Sequence, residues 1–135
     1  MAKRSGKKFS LSRNAILRGK KNFDALFTTG NTLHGRYVNM RFRIFDTANP
    51  ECKVAFVAAK RLGNAVKRNT MKRRMREAYR LHQHILTDEV SRSGVGLHGA
   101  FMIKKCGQPY KNIERDMISF SNTLAKMIKN TREDR

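Results

Sequence analysis

Acidic residues are scarce in this chain of 135 residues, where 10 Asp and Glu stand against 30 Lys and Arg. A nuclease working through its own side chains needs clustered carboxylates for a metal, or a histidine pair for acid–base work. Neither pattern can be assembled. Asp88 and Glu89 adjoin in a predicted loop, and Glu114 and Asp116 start a predicted helix, where the macrodipole favours negative charge. His82 and His84 lie two apart on a predicted helix and share no face, while His34 and His98 are isolated. The sequence therefore predicts no catalytic residue and no metal site in this chain. Cysteine is nearly absent. Cys52 and Cys106 are far apart and form no CxxC pair, which predicts two reduced thiols rather than a disulfide or metal site. No run of about 18 apolar residues occurs, so no membrane span is predicted. The basic start lacks the apolar stretch of a secretory signal, and the cytoplasm is the predicted location.

What is present is positive charge. The formal net charge is +20 and the sequence pI is near 11.0. Self-repulsion on that scale opposes folding unless a partner offsets it, and a nucleic acid is the partner such an excess usually serves. An anionic membrane is the weaker reading, because no apolar face with bulky interfacial residues accompanies the charge. Length and a hydrophobic share of 39%, with eight Phe and no Trp, predict one domain with a modest core.

Periodicity divides the chain into elements. Residues 1–13 are basic and carry Ser and Gly, which predicts a flexible arm; 14–130 read as the single domain and 131–135 as a tail. Phe23, Leu26 and Phe27 keep a helical spacing that Gly30 ends. Over 37–45, Val38, Met40, Phe42 and Ile44 alternate with Asn39, Arg41 and Arg43, which predicts a strand with one apolar and one cationic face. Residues 53–59 are almost continuously apolar and predict a central strand, joined to the first by a short turn as an antiparallel hairpin. A helix follows over about 64–86, then a Ser/Gly-bearing loop over 87–98, then a strand over 99–104. Ile113, Met117, Phe120, Leu124 and Ile128 mark a closing helix over 110–129. With a short edge strand at 32–34, the order is α-β-β-β-α-β-α. That is an α+β fold, with helices packed on a four-stranded, mostly antiparallel sheet.

Residues 60–80 concentrate the charge, with nine Lys or Arg against Glu77 alone. At about 100° per residue, Met71, Met75, Ala78, His82 and Ile85 fall on one stripe, while Asn69, Lys72, Arg73, Arg76 and Arg80 fall opposite. Lys67, Arg68, Lys72 and Arg73 crowd the N-terminal half, where the macrodipole disfavours each cation by about 0.3–1 kcal/mol. A sequence shaped for stability alone would place Asp or Glu there. Positive charge presented at this cost points to phosphate, which arginine binds in a bidentate fork.

Lys60, Arg61, Gly63, Ala65, Arg68, Asn69, Lys72, Arg73 and Arg76 together resemble the signature of the bacterial ribonuclease P protein component. Phe23, Leu26 and Phe27 before Gly30 resemble that family's first helix. One departure is Thr70, at the third position of the family's Arg-Asn-Arg element, which is usually basic. The resemblance implies a protein subunit of ribonuclease P, which binds the catalytic RNA and the 5′ leader of precursor tRNA. The RNA would cleave with Mg²⁺ held mainly by itself, and no Mg²⁺ site is expected in the protein alone. It implies one protein per RNA, otherwise a monomer. RNA-subunit contacts are expected at Lys60, Arg61, Asn64, Arg68, Asn69, Lys72, Arg73, Arg76 and Arg80. The resemblance also implies a leader cleft between the first helix and the sheet, lined by Phe23, Phe27, Val38 and Met40. Alternation leaves Arg41 and Arg43 outside that cleft. A left-handed crossover between parallel strands is also implied, against the right-handed default. A ribosomal or other structural RNA-binding protein is the alternative.

Overall fold

Alternation of apolar and polar residues makes the central strands, and a 3.6-residue period makes the helices that cover them. The computed structural model describes residues 10–133. In chain order the elements are α1 (Lys20–Thr29), β1 (Asn31–His34), β2 (Val38–Asp46), β3 (Glu51–Val57), α2 (Ala65–His82), α3 (His84–Ser93), β4 (Val95–Ile103) and α4 (Tyr110–Glu133). The sheet order is β1-β2-β4-β3. β1 and β2 are antiparallel, β2 and β4 are antiparallel with Met40 opposite Phe101, and β3 and β4 are parallel with Val54 opposite Gly99.

The predicted hairpin of β2 and β3 does not form. β4 enters between them, with Val95 beside Asp46 and Gly96 beside Glu51, so the 47–50 turn straddles the start of β4. β3 is correspondingly an outer strand, not a central one. Its apolar character has another cause: both faces are covered, and its free edge receives the preceding segment. Ile16 bridges Val54 there, and the Leu17 N–H donates to the Val54 carbonyl at 2.8 Å.

The predicted loop over 87–98 is also corrected. Leu86, Glu89, Val90 and Ser93 are buried at helical spacing, and they build α3 rather than a loop. Gly94, at φ +68°, ends it in the left-handed conformation that favours glycine. The basic helix stops at His82, where Gln83 turns its amide back to the Arg80 carbonyl (3.1 Å) and across to the Ser10 carbonyl (2.8 Å). That contact docks residue 10, and Arg13–Ala15 form a short 3-10 turn, so only residues 1–9 of the predicted arm lie outside the described structure. Residues 131–133 of the predicted tail continue α4.

The sheet separates two apolar clusters. On one face Val38, Met40 and Phe42 of β2 and Leu97 and Phe101 of β4 pack beneath the inner faces of α2, α3 and α4. Asp116 ties α4 to the head of β2 by accepting from the Tyr37 and Val38 N–H groups at 2.6 and 2.9 Å. On the other face a small cluster of Leu26, Leu17, Ala55 and Ala100, flanked by Phe23, Val57 and Met102, seats α1.

Candidate nucleic-acid interface

The entry to α2 is built from its own sequence. Lys60–Leu62 form a 3-10 turn, Gly63 is extended, and Asn64 caps the helix, its side-chain oxygen accepting from the Lys67 N–H at 2.9 Å. Asn64, expected to meet RNA, therefore has a structural duty at one of its two polar atoms. Arg68 is half-buried and donates from Nε to the Gly63 carbonyl at 3.0 Å, which fixes its guanidinium beside the turn. Lys60 and Arg61 are exposed on the turn itself.

Met71, Met75, Ala78 and Tyr79 are each no more than 2% exposed and lock one side of α2 into the core. The opposite side carries Asn69, Lys72, Arg73 and Arg76, which line a shallow hollow of about 270 Å³. Among the described residues, none of these three cations has a carboxylate partner. The Arg76 guanidinium sits 5.7 Å over the Phe56 ring, which steadies the long side chain without neutralising it. Arg80 is different. It pairs with Glu77 at 2.6 Å, and that hydrogen bond holds the Glu77 carboxyl below its ordinary value. Arg80 thus extends the face but is partly neutralised. Thr70 donates its hydroxyl to the Val66 carbonyl at 3.0 Å and serves its own helix.

The four residues expected to line a leader cleft are not brought together. Val38 and Met40 are fully buried beneath α2–α4, whereas Phe23 and Phe27 belong to α1 on the opposite face of the sheet. Alternation separates the faces of β2 correctly but does not say which one meets α1. Apolar residues went to the face with the larger helical cover. Phe27 is 45% exposed, and Phe23 is half-buried against the small cluster. Their actual neighbours are on the cationic face of β2, where Arg41 lies. Arg41 donates to the carbonyls of Leu26 (3.1 Å) and Phe27 (2.8 Å) and to Thr32 Oγ1 (3.0 Å), closing the C-terminus of α1. Next to it, Asn39, Val57, Met102, Lys104 and Arg61 line a hollow of about 320 Å³. The signal for these residues was the polar alternation of β2 itself.

Other titratable groups are held in structural pairs. His82 Nε2 meets Glu114 at 2.9 Å, and Tyr110 donates to the same oxygen at 3.1 Å, joining the end of α2 to the start of α4. Desolvation, then the Glu114 charge, pushes the Tyr110 hydroxyl up to about 12. His98 Nε2 meets Glu51 at 2.5 Å, with Phe45 edge-on to its ring. Among the described residues, no group of three or more His, Cys, Asp or Glu converges to hold a metal ion. No described helix is long and apolar enough to cross a membrane.

Known proteins place this geometry. The Ribonuclease P family model matches residues 11–124. The ribonuclease P protein component of Chlorobaculum tepidum is 33% identical over 133 residues, covering 90% of this chain and 84% of the relative. That of Porphyromonas gingivalis is 33% identical over 116 residues, covering 81% and 82%. The RNase P protein structures from Staphylococcus aureus and Thermotoga maritima both superpose with a TM-score of 0.63, at 16% and 18% identity. They cover 83% and 80% of this chain, and 95% and 96% of their own. At that identity the structures speak for the fold, while the family match and the sequence relatives speak for descent: the chain belongs to the family of bacterial ribonuclease P protein components.

Proposed function

We propose that the outer face of α2 binds the RNA subunit of ribonuclease P and that the cationic face of the sheet holds the 5′ leader of precursor tRNA. Membership in the family makes the chain a subunit of ribonuclease P acting in tRNA processing, with RNA as its binding partner. One observation carries the assignment of the face. Lys72, Arg73 and Arg76 stand at the surface with no carboxylate partner among the described residues, on a helix whose other side is fixed in the core. Such a row suits phosphate by its charge, and its rigid support limits the entropy lost on binding. Lys60, Arg61, Asn64, Arg68 and Asn69 extend the row at its N-terminal end, and Arg80 extends it at the other.

For the leader, Phe23 and the exposed Phe27 offer faces for unstacked bases; Val57 and Met102 flank the same small cluster as Phe23 and line the adjoining hollow with Asn39. Bond cleavage is assigned to the RNA. Mg²⁺ prefers several oxygen ligands, and phosphate supplies them, while the described residues of this chain offer no converging donor set. The complex is read as one protein per RNA, assembled in the cytoplasm. Family membership favours this over a ribosomal protein, which charge and size would fit equally.

Reconstitution with ribonuclease P RNA and precursor tRNA at low Mg²⁺ is the test. The protein is expected to raise the rate of leader removal. No gain, or cleavage by the protein without RNA, would overturn the reading.

A further inference from the structure

A second surface lies on the flank of α2, where the helix meets the loop after β4. Leu62, Val66 and Met71 from the helix and its entry, with Cys106 from the loop, line a hollow of about 400 Å³. Its size falls in the range of about 300–1,000 Å³ typical of small-molecule sites. Val66 is 75% exposed, the most exposed large apolar side chain among the described residues. An isolated exposed valine needs no explanation, but this one stands at the mouth of an apolar hollow.

The rim is cationic. Lys67, Arg74 and Lys105 surround the hollow, and no carboxylate is among its lining residues. Arg74 donates to the Gln108 carbonyl at 2.5 Å, which fixes its guanidinium beside the loop and leaves other N–H donors for an acceptor. By helical geometry, Val66, Lys67, Thr70 and Arg74 centre about 125° round α2 from the row of Asn69, Lys72, Arg73 and Arg76. Lys67 and Lys105 carry positive charge from α2 and the loop to the rim of the hollow. Paired RNA offers phosphates and groove edges, which bring no apolar face to such a lining. An unpaired nucleotide does, because its base leaves the stack while its phosphate stays outside.

We propose that this hollow receives one unpaired nucleotide of the ribonuclease P RNA, with its base against Leu62 and Val66 and its phosphate on Lys67 and Lys105. The proposal rests on the RNA-subunit reading of the α2 face. It gives Lys67 and Lys105 a function that the sequence signature does not contain.

Cys106 reports on occupancy. The complex with ribonuclease P RNA is formed, its affinity is measured, and alkylation by N-ethylmaleimide is followed on the peptide spanning 106–111. Cys52 serves as a slow internal reference, since burial pushes its thiol up to about 11. Alkylation of Cys106 is expected to slow at least about tenfold in the complex. Val66→Ser is expected to weaken RNA binding about threefold at unchanged salt dependence, as an apolar contact should. Lys105→Ala is expected to weaken it similarly while making the salt dependence shallower by about one ion. A complex of full affinity in which Cys106 reacts at the free-protein rate overturns this inference and leaves the RNA-subunit reading standing. So does a Val66→Ser variant that binds as tightly as the parent. Protection of Cys106 in concentrated protein without RNA would identify a second copy as the occupant, and would also overturn it. Failure to form any complex overturns both readings.

Discussion

The two faces of β2 have opposite fates. Val38, Met40 and Phe42 face α2, α3 and α4 and are at most 4% exposed. Asn39 and Arg41, one residue along in each case, face α1 and remain half-exposed. The first face carries the energy of the fold, because apolar burial contributes about 25 cal/mol per Å² and this is where most of it occurs. The second face gives up that contribution and keeps cations, polar amides and a partly open hollow. A surface kept polar on a strand that had the alternative of burial is the better place to look for a ligand. Apolar residues of the right size on the covered face are explained by packing alone.

The sharpest way to break this division is at Met40. Met40→Ala removes a fully buried side chain from the main cluster and should cost about 2–5 kcal/mol in urea denaturation. Leader binding by the molecules that remain folded should be unchanged. Loss of discrimination between precursor and mature tRNA at full stability would place Met40 on the ligand side after all.

Arg41 and Arg73 test the cationic residues against each other. Arg41 satisfies two carbonyls at the end of α1, so Arg41→Ala should cost about 1–3 kcal/mol of stability. Arg73 is exposed and has no acidic partner among the described residues, so Arg73→Ala should change stability by no more than about 0.5 kcal/mol. The binding result should be the reverse. Arg73→Ala should weaken RNA binding and lower its salt slope by about one. A stable Arg41→Ala protein with impaired leader binding would move Arg41 from scaffold to contact.

The covered face was only partly legible in the sequence. Local periods identified α1, the buried stripe Met71, Met75 and Ala78, the alternation of β2 and the closing helix. They also located the segment from Gly63 to Arg76 whose pattern carries the family. Pairing was not legible, because β4 inserts between β2 and β3 through contacts such as Met40 with Phe101 and Val54 with Gly99, far apart in sequence, and no local period records them. α3 was missed because Thr87, Ser91, Ser93 and Gly94 resemble a loop, although Leu86 and Val90 already kept a helical interval and Gly94 marked its end. Val38 and Met40 were grouped with Phe23 and Phe27 for a related reason: alternation distinguishes two faces but does not say which helix each will meet.

The smallest expected effect comes from pH and concerns the covered face alone. Cys52 lies on the same face of β3 as Val54, packed against the main cluster, with its sulfur 3.5 Å from the Tyr79 hydroxyl. Desolvation pushes this thiol up to about 11, and the hydrogen bond from Tyr79 offsets only part of that. The folded protein therefore keeps its proton at a pH where the unfolded chain has released it. Stability from this group is complete below the unfolded thiol value and is lost as pH rises towards about 11. Between pH 8 and pH 10 the loss should be about 1 kcal/mol, read as a fall in the urea midpoint. Cys52→Ala should flatten that fall. An unchanged alkaline slope in Cys52→Ala would mean that the thiol is in contact with water, and that the cover over β3 is less complete than its neighbours imply.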